Sequence, residues 1–238
     1  MNAFGLNTLR ALACGAAFSL TAGAALAQPL DATKAPTPWT ARDSLAAVPV
    51  FYIADAYGRP RGDADGSAAN FYLNRTQASL ALGYTRGQTQ GVGQDLHVEV
   101  TDLARASALP GERRFVKPPT VVEAASSMDE APLFMVRDKA GAPYTLRGSD
   151  GRRRTYFFLN EGDAIDFIEI VVAQTGTTEA DIRLSLAPLS AIVKSMLAAE
   201  KPEVQNWAIW SNDEAREDAA VLKAELSRQS AGLKVGTP

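Results

Sequence analysis

Residues Ala131 to Ile170 read APLFMVRDKAGAPYTLRGSDGRRRTYFFLNEGDAIDFIEI. An apolar run rich in β-formers, a Gly/Pro turn, a second apolar run and an Asn before a helical pattern predict strand, turn, strand and capped helix. The chain has already written this unit once, from Val48 to Leu82. Pro132, Phe134, Gly141 and Pro143 stand 83 residues after Pro49, Phe51, Gly58 and Pro60. Phe157-Phe158-Leu159-Asn160 answers Phe71-Tyr72-Leu73-Asn74 at a spacing of 86, and Ala164 answers Ala78. Asp181, Leu184, Leu186 and Leu189 follow Asp95, Val98, Val100 and Leu103, again by 86. Up to Leu189 the register changes only in the hairpin connection, which has gained three residues.

The fold class this implies is α+β, built from two homologous strand-hairpin/helix/strand/helix repeats. Each repeat alone is too small to bury much apolar surface, so the two are expected to pack together with pseudo-twofold symmetry. The expected organisation is a signal peptide over 1–27, a flexible leader over 28–46, repeat one over 47–129, repeat two over 130–230 and a disordered tail over 231–238.

In the first repeat, Val48 to Ala54 is a strand that Pro49 confines to a start or an edge. Asn70 to Leu73 is the next strand. Asn74 with Gln77 three residues on caps a helix reaching about Arg86, which Gly87 ends. Leu96, Val98 and Val100 alternate with His97 and Glu99, so one face points in and one out. Thr101 is read as the cap of a short helix that carries Leu103 and Ala106 inward. Arg114-Phe115-Val116 then offers a strand, and Pro119 opens a helix through Val121, Val122 and Ala125 to Met128. In the second repeat Trp207-Ala208-Ile209-Trp210 and Asp213 to Gln229 take those two places. A short helix over Ala41 to Ala46 closes the leader.

The first residues, MNAFGLNTLRALACGAAFSLTAGAALAQ, place one cation (Arg10) before an Ala-rich apolar run and Ala25-Leu26-Ala27. This is the order of a cleavable secretory signal, which predicts an exported, periplasmic protein. Cys14 is the chain's one cysteine and lies inside that stretch, so export would leave a protein without thiols. The 211 residues after Ala27 hold 23 basic against 27 acidic side chains. That mild acidity gives no electrostatic ground for nucleic acid or anionic membrane as partner. Arg152-Arg153-Arg154 follow turn residues and read as a solvated hairpin end. No run of about 18 apolar residues follows the signal, so no insertion into the membrane is expected.

Chemistry is sparse. His97, the one histidine, sits at an outward strand position beside Glu99 and is answered by Arg183 in the second repeat, so no metal or proton-relay site is repeated. Asp63-Ala64-Asp65-Gly66 lacks the ligand series of a calcium loop. Gly148-Ser149-Asp150-Gly151 lacks the strand-to-helix setting of a serine nucleophile. The glycines from Gly87 to Gly93 precede no phosphate-loop Lys. Asp213, Glu214, Glu217 and Asp218 suit the start of a helix, where acids oppose the dipole. No catalytic residue, metal or cofactor is assigned.

Val48-Pro49-Val50-Phe51 with Gly58-Arg59-Pro60, Ala131-Pro132-Leu133-Phe134 with Gly141-Ala142-Pro143, Phe157 to Asn160 with Asp163-Ala164, and Phe115-Val116 before Pro118-Pro119 and Val121 together resemble the Tic twenty-two-like family. That family comprises the intermembrane-space subunit of the chloroplast import machinery and its bacterial periplasmic relatives. The resemblance implies a duplicated α+β fold and a non-enzymatic, chaperone-like role in protein transport, holding envelope or outer-membrane precursor proteins in a periplasm-type compartment. The expected partners are unfolded or partly folded envelope proteins. A structural subunit of an envelope complex is the alternative. A small-ligand binder or hydrolase is another, and it would need a polar pocket between the halves near Asp95 and Asp181.

Several strands are apolar on both faces, so each is either covered twice or leaves one face open. Full burial under helices is one reading. The sharper one is a client groove lined by Tyr52, Tyr72, Met135 and Phe158, since Met and aromatic surfaces adapt to varied apolar segments. It fails if each of the four is more than about nine-tenths buried. Trp39, Trp207 and Trp210 stay unassigned between core and contact.

Overall fold

A computed structural model describes residues 40–62, 68–88, 95–116, 128, 130–147, 152–198, 201–211 and 213–233. Cys14, Trp39, the Asp63 to Gly66 loop, the helix expected from Pro119 and the Gly148 to Gly151 turn lie outside them, as do most of the glycines from Gly87 to Gly93. Among the described residues the strands are β1 Pro49–Ala54, β2 Ala68–Tyr72, β3 His97–Asp102, β4 Glu112–Val116, β5 Pro132–Asp138, β6 Thr145–Arg147, β7 Arg153–Phe158, β8 Ile182–Pro188 and β9 Trp207–Trp210. The helices are α1 Ala41–Ala46, α2 Arg75–Gln88, α3 Leu103–Ala108, α4 Glu161–Thr175, α5 Leu189–Ala198 and α6 Asp213–Leu233. The mixture is α+β, as expected. The strand β6 was not announced by the apolar pattern, and α6 extends to Leu233, three residues into the tail expected over 231–238.

Two sheets form, β3-β1-β2-β4 and β6-β7-β5-β8, with β9 added to β7. Phe51 pairs with Tyr72 and Val100, and Phe134 with Phe158 and Leu186, so both antiparallel registers recur at the sequence spacings of 83 and 86. The parallel pair Phe71 with Phe115 is matched by Phe157 with Ile209. Even the isolated bridge of Gly62 to Ala69 has its counterpart in Thr145 with Thr155.

Local chemistry explains the turns and caps. Gly58 and Gly141 take φ of +74° and +88°, a region closed to most side chains. In each case the Gly N–H donates to an Asp carbonyl three residues earlier, Asp55 or Asp138, at 2.9 and 3.0 Å. The carboxylate of the same Asp accepts the N–H of Arg59 or Ala142. Asn74 Oδ1 accepts the Gln77 N–H at 2.8 Å and Asn160 Oδ1 accepts the Asp163 N–H at 2.7 Å, which is how the capping residues start α2 and α4. The cap of α3 is Asp102, whose Oδ1 accepts the Arg105 N–H at 2.8 Å, and not Thr101. Thr101 is instead the strand residue paired with Val50.

Alternation divides the apolar side chains into three layers. Val50, Tyr52 and Ala54 from β1, Leu133 and Met135 from β5, Phe71, Phe157 and Ile209 meet in one core shared by both sheets, closed by Leu45, Leu103, Leu189, Ile192 and Met196 from helices. Phe51, Ile53 and Tyr72 on the opposite face of the first sheet are covered by Ala78 of α2 and by Ala219 and Leu222 of α6. Phe134, Val136 and Phe158 on the opposite face of the second sheet lie under Ala164, Phe167 and Val171 of α4. Ala78 and Ala164 are fully buried; a methyl group there lets each helix lie close on its strands.

The halves also exchange edges. β4 and β9 end their sheets and leave backbone groups pointing away from their neighbours. The Phe115 carbonyl in β4 accepts the N–H of Ala131, the residue before β5, at 3.0 Å. The Ile209 N–H in β9 donates to Ser44 Oγ in α1, before β1, at 2.9 Å in a fully buried position. Each edge is thus closed by the segment that leads into the other sheet. The helix α6, which follows β9, likewise packs on β1 and β3 of the first sheet.

Candidate functional site

The four side chains expected to line a groove do not share one. Tyr52 (8% exposed) and Met135 (6%) belong to the shared core, Tyr72 (8%) lies beneath α2 and α6, and Phe158 (3%) beneath α4. All four pass the burial at which the groove expectation fails. The physical reason is that β1 and β5 are covered on both faces, so their unbroken apolar pattern records double burial.

An open apolar cleft does exist beside α4. Asn160 fixes the start of that helix over β7, where Tyr156 and Phe158 alternate onto the outer face and Trp210 stands beside them at the end of β9. Tyr156, Phe158, Phe167, Leu146, Ile170 and Trp210 line a cleft of about 250 Å³, and Asp163, Asp166 and Asp213 stand at its rim. Its aromatic rings support one another. Tyr156 meets Trp210 edge-on at 5.7 Å between centroids, and Phe158 lies 5.2 Å from Phe167. Ile170 and Trp210 remain 44% and 43% exposed. Ile170 and Trp210 thus leave apolar surface wet beside an ordered sheet. Burial pushes the Asp163 carboxyl above the ordinary range, against the hydrogen bond it accepts from Asn160 Nδ2, and the charges of Asp166 and Asp213 push the same way.

Of the sequence candidates, Phe158 alone reaches this cleft, as part of its floor. Trp210 is a cleft residue, while Trp207 packs edge-on against Phe157 at 5.0 Å and belongs to the core side. The signal that could have found the rest is apolar side chains on the polar side of a helix. Leu80 and Tyr84 of α2 are 70% and 71% exposed, and Asp166 and Ile170 stand 86 residues after them.

His97 Nε2 lies 3.0 Å from Glu99 Oε1, and the Tyr52 hydroxyl donates to the other oxygen of the same carboxylate. Burial and the Glu99 carboxylate together hold the Tyr52 phenol well above its usual range. This chain of three groups sits at the margin of the shared core and does not line the cleft beside α4. Asp181 is bound to Lys139 at 3.1 Å, and Asp95 sits in the turn before β3; neither lines a described cleft. Among the described residues no cluster of three or more His, Cys, Asp or Glu could hold a metal ion, and no helix is long and apolar enough to cross a membrane.

No family model and no curated protein sequence matches the chain. Solved structures do. The chain superposes on Tic22 of Anabaena, a protein described as a protein-transport component, with a TM-score of 0.58 over 79% of this chain and 98% of that one. The chain has a Tic22-like fold. Sequence identity to the Anabaena protein is 15%, so fold positions and not site chemistry carry the match. Tic22 of Plasmodium falciparum superposes with a TM-score of 0.54 at 11% identity, over 83% of this chain and 98% of its own. The two-sheet α+β arrangement is consistent with that fold.

Proposed function

We propose that this chain is a periplasmic protein-transport factor that holds unfolded or partly folded envelope and outer-membrane precursors, without catalysis or cofactor. The observation that carries the proposal is the cleft beside α4, where Ile170 and Trp210 are half exposed over an aromatic floor. Such a surface recognises aromatic and aliphatic side chains in many sequence contexts, as a transport factor with varied clients requires. The fold it shares with the Anabaena transport protein and the secretory pattern of the first 27 residues favour the same role and compartment. A fixed subunit of an envelope complex is favoured instead by Leu80 and Tyr84, whose exposure on α2 offers a second apolar surface.

The proposal extends to the architecture. The two sheets are copies of one unit related by a pseudo-twofold axis, and the matching registers at 83 and 86 residues support this reading. Duplication then supplies two helix-flanked sheet faces, and selection is free to open each as a binding surface.

An aggregation assay with a urea-unfolded outer-membrane β-barrel protein, diluted into buffer, tests the function. Protection at a stoichiometric ratio is expected, with most of it lost in Trp210→Ala. No protection by the wild-type chain would overturn the proposal.

A further inference from the structure

The proposed function leaves open what kind of segment the cleft prefers, and the inference that follows rests on that function. The two helix-flanked faces differ in charge. Gln77 and Leu80 in α2 occupy the positions that Asp163 and Asp166 hold in α4, 86 residues later, and Asp213 joins those two acids at the cleft rim. Arg216 of α6 pairs with Asp213, and Arg154 is buried on the same face of β7 outside the cleft lining. Asp163 and Asp166 have no cationic partner among the hydrogen bonds and ion pairs of the described residues; Asp163 is held by Asn160. Three carboxylates therefore stand over an aromatic floor whose ring faces themselves attract cations. We infer that the cleft beside α4 takes polypeptide segments in which a Lys or Arg adjoins an aromatic or branched aliphatic side chain, the apolar group entering over Phe158 and Trp210 and the cation lying among Asp163, Asp166 and Asp213.

The occupant is fixed by complementarity of charge and polarity. A purely apolar segment would leave Asp163 and Asp166 without a cation beside low-dielectric surface, and burial first, then the charges of Asp166 and Asp213, already push the Asp163 carboxyl toward its neutral form. A segment bearing Glu would add a fourth like charge. A metal ion is not the occupant, because the acids do not converge tightly enough to ligate one.

The test uses the full chain and three fluorescein-labelled peptides, Gly-Leu-Phe-Xaa-Phe-Leu-Gly with Xaa as Lys, Gln or Glu, followed by fluorescence anisotropy. Exposed pairing plus a cation–π contact predicts about tenfold tighter binding of the Lys peptide than of the Glu peptide at low salt. That ratio should shrink toward one at about 0.5 M salt. The triple variant Asp163→Asn, Asp166→Asn, Asp213→Asn should lose the ratio. Asp166→Lys, at an exposed helical position, should invert the preference and keeps the test valid if the triple variant folds poorly. Trp210→Ala should weaken all three peptides alike. Equal binding of the three peptides to the wild type overturns the charge preference and leaves the apolar cleft standing. Binding that survives Trp210→Ala unchanged, or no binding of any peptide, overturns the cleft as client site and this inference with it.

Discussion

Replacing Ser44 by Ala removes one oxygen from a position that is 1% exposed and leaves no cavity large enough to matter. What it strands is the Ile209 N–H, which points away from β7 at the sheet edge and donates to Ser44 Oγ at 2.9 Å. A buried donor left without an acceptor costs about 1–3 kcal/mol. For a chain of this size each kcal/mol lowers Tm by about 2–4 °C, so a fall of roughly 2–12 °C is expected. Equilibrium thermal unfolding followed by circular dichroism measures it. Ser190→Ala is the internal control, because the same chemical change there removes only an exposed bond to Glu130 and should shift stability by less than about 0.5 kcal/mol. If Ser44→Ala melts within about 1 °C of the wild type, the claim that α1 seals the edge of the second sheet is wrong.

Further consequences follow from the same geometry. Phe157→Ala empties a site that is 1% exposed between β7 and the Trp207 ring, and urea titration should report a loss of about 3–5 kcal/mol. Gly141→Ala forces a side chain into a left-handed turn; although a Cβ meets nothing within 4 Å, backbone strain alone should cost about 1–2 kcal/mol in the same assay. Asp163 has a raised carboxyl pKa, so the stability linked to its neutral form is complete below the ordinary carboxylate range and is lost as pH rises through the raised value. Asp163→Asn should therefore match the wild type near about pH 3 and gain on it toward pH 7; a constant difference across that range would contradict the linkage.

The strands, turns and caps of both repeats could be read in the sequence because Pro, Phe, Gly and Asn recur in one order; which strands pair, and in what register, could not. Gly58 and Gly141 had to be turns, and Asn74 and Asn160 had to be caps, whatever surrounded them. What could not be read was destination. The apolar side chains of α6, Ala219 and Leu222, say that the helix is half buried, yet nothing in their spacing says that it lies on the first sheet and not on the second. The same ambiguity misdirected the site. Unbroken apolar runs in β1 and β5 fit an open face as well as a doubly covered one, and only the packing of α2, α4 and α6 decides between them. Ser44 gave no signal at all, since a serine in a short amphipathic helix is ordinary until its partner 165 residues away is known.

The central claim is that unfolded chains dock beside α4. A photo-crosslinking amino acid in place of Ile170, compared with one in place of Tyr57, which is 83% exposed on a turn outside the cleft, tests it directly. With an unfolded outer-membrane protein added at stoichiometric ratio, strong adducts at position 170 and weak ones at position 57 are expected. Equal yields at the two positions, or none at 170, would contradict the account.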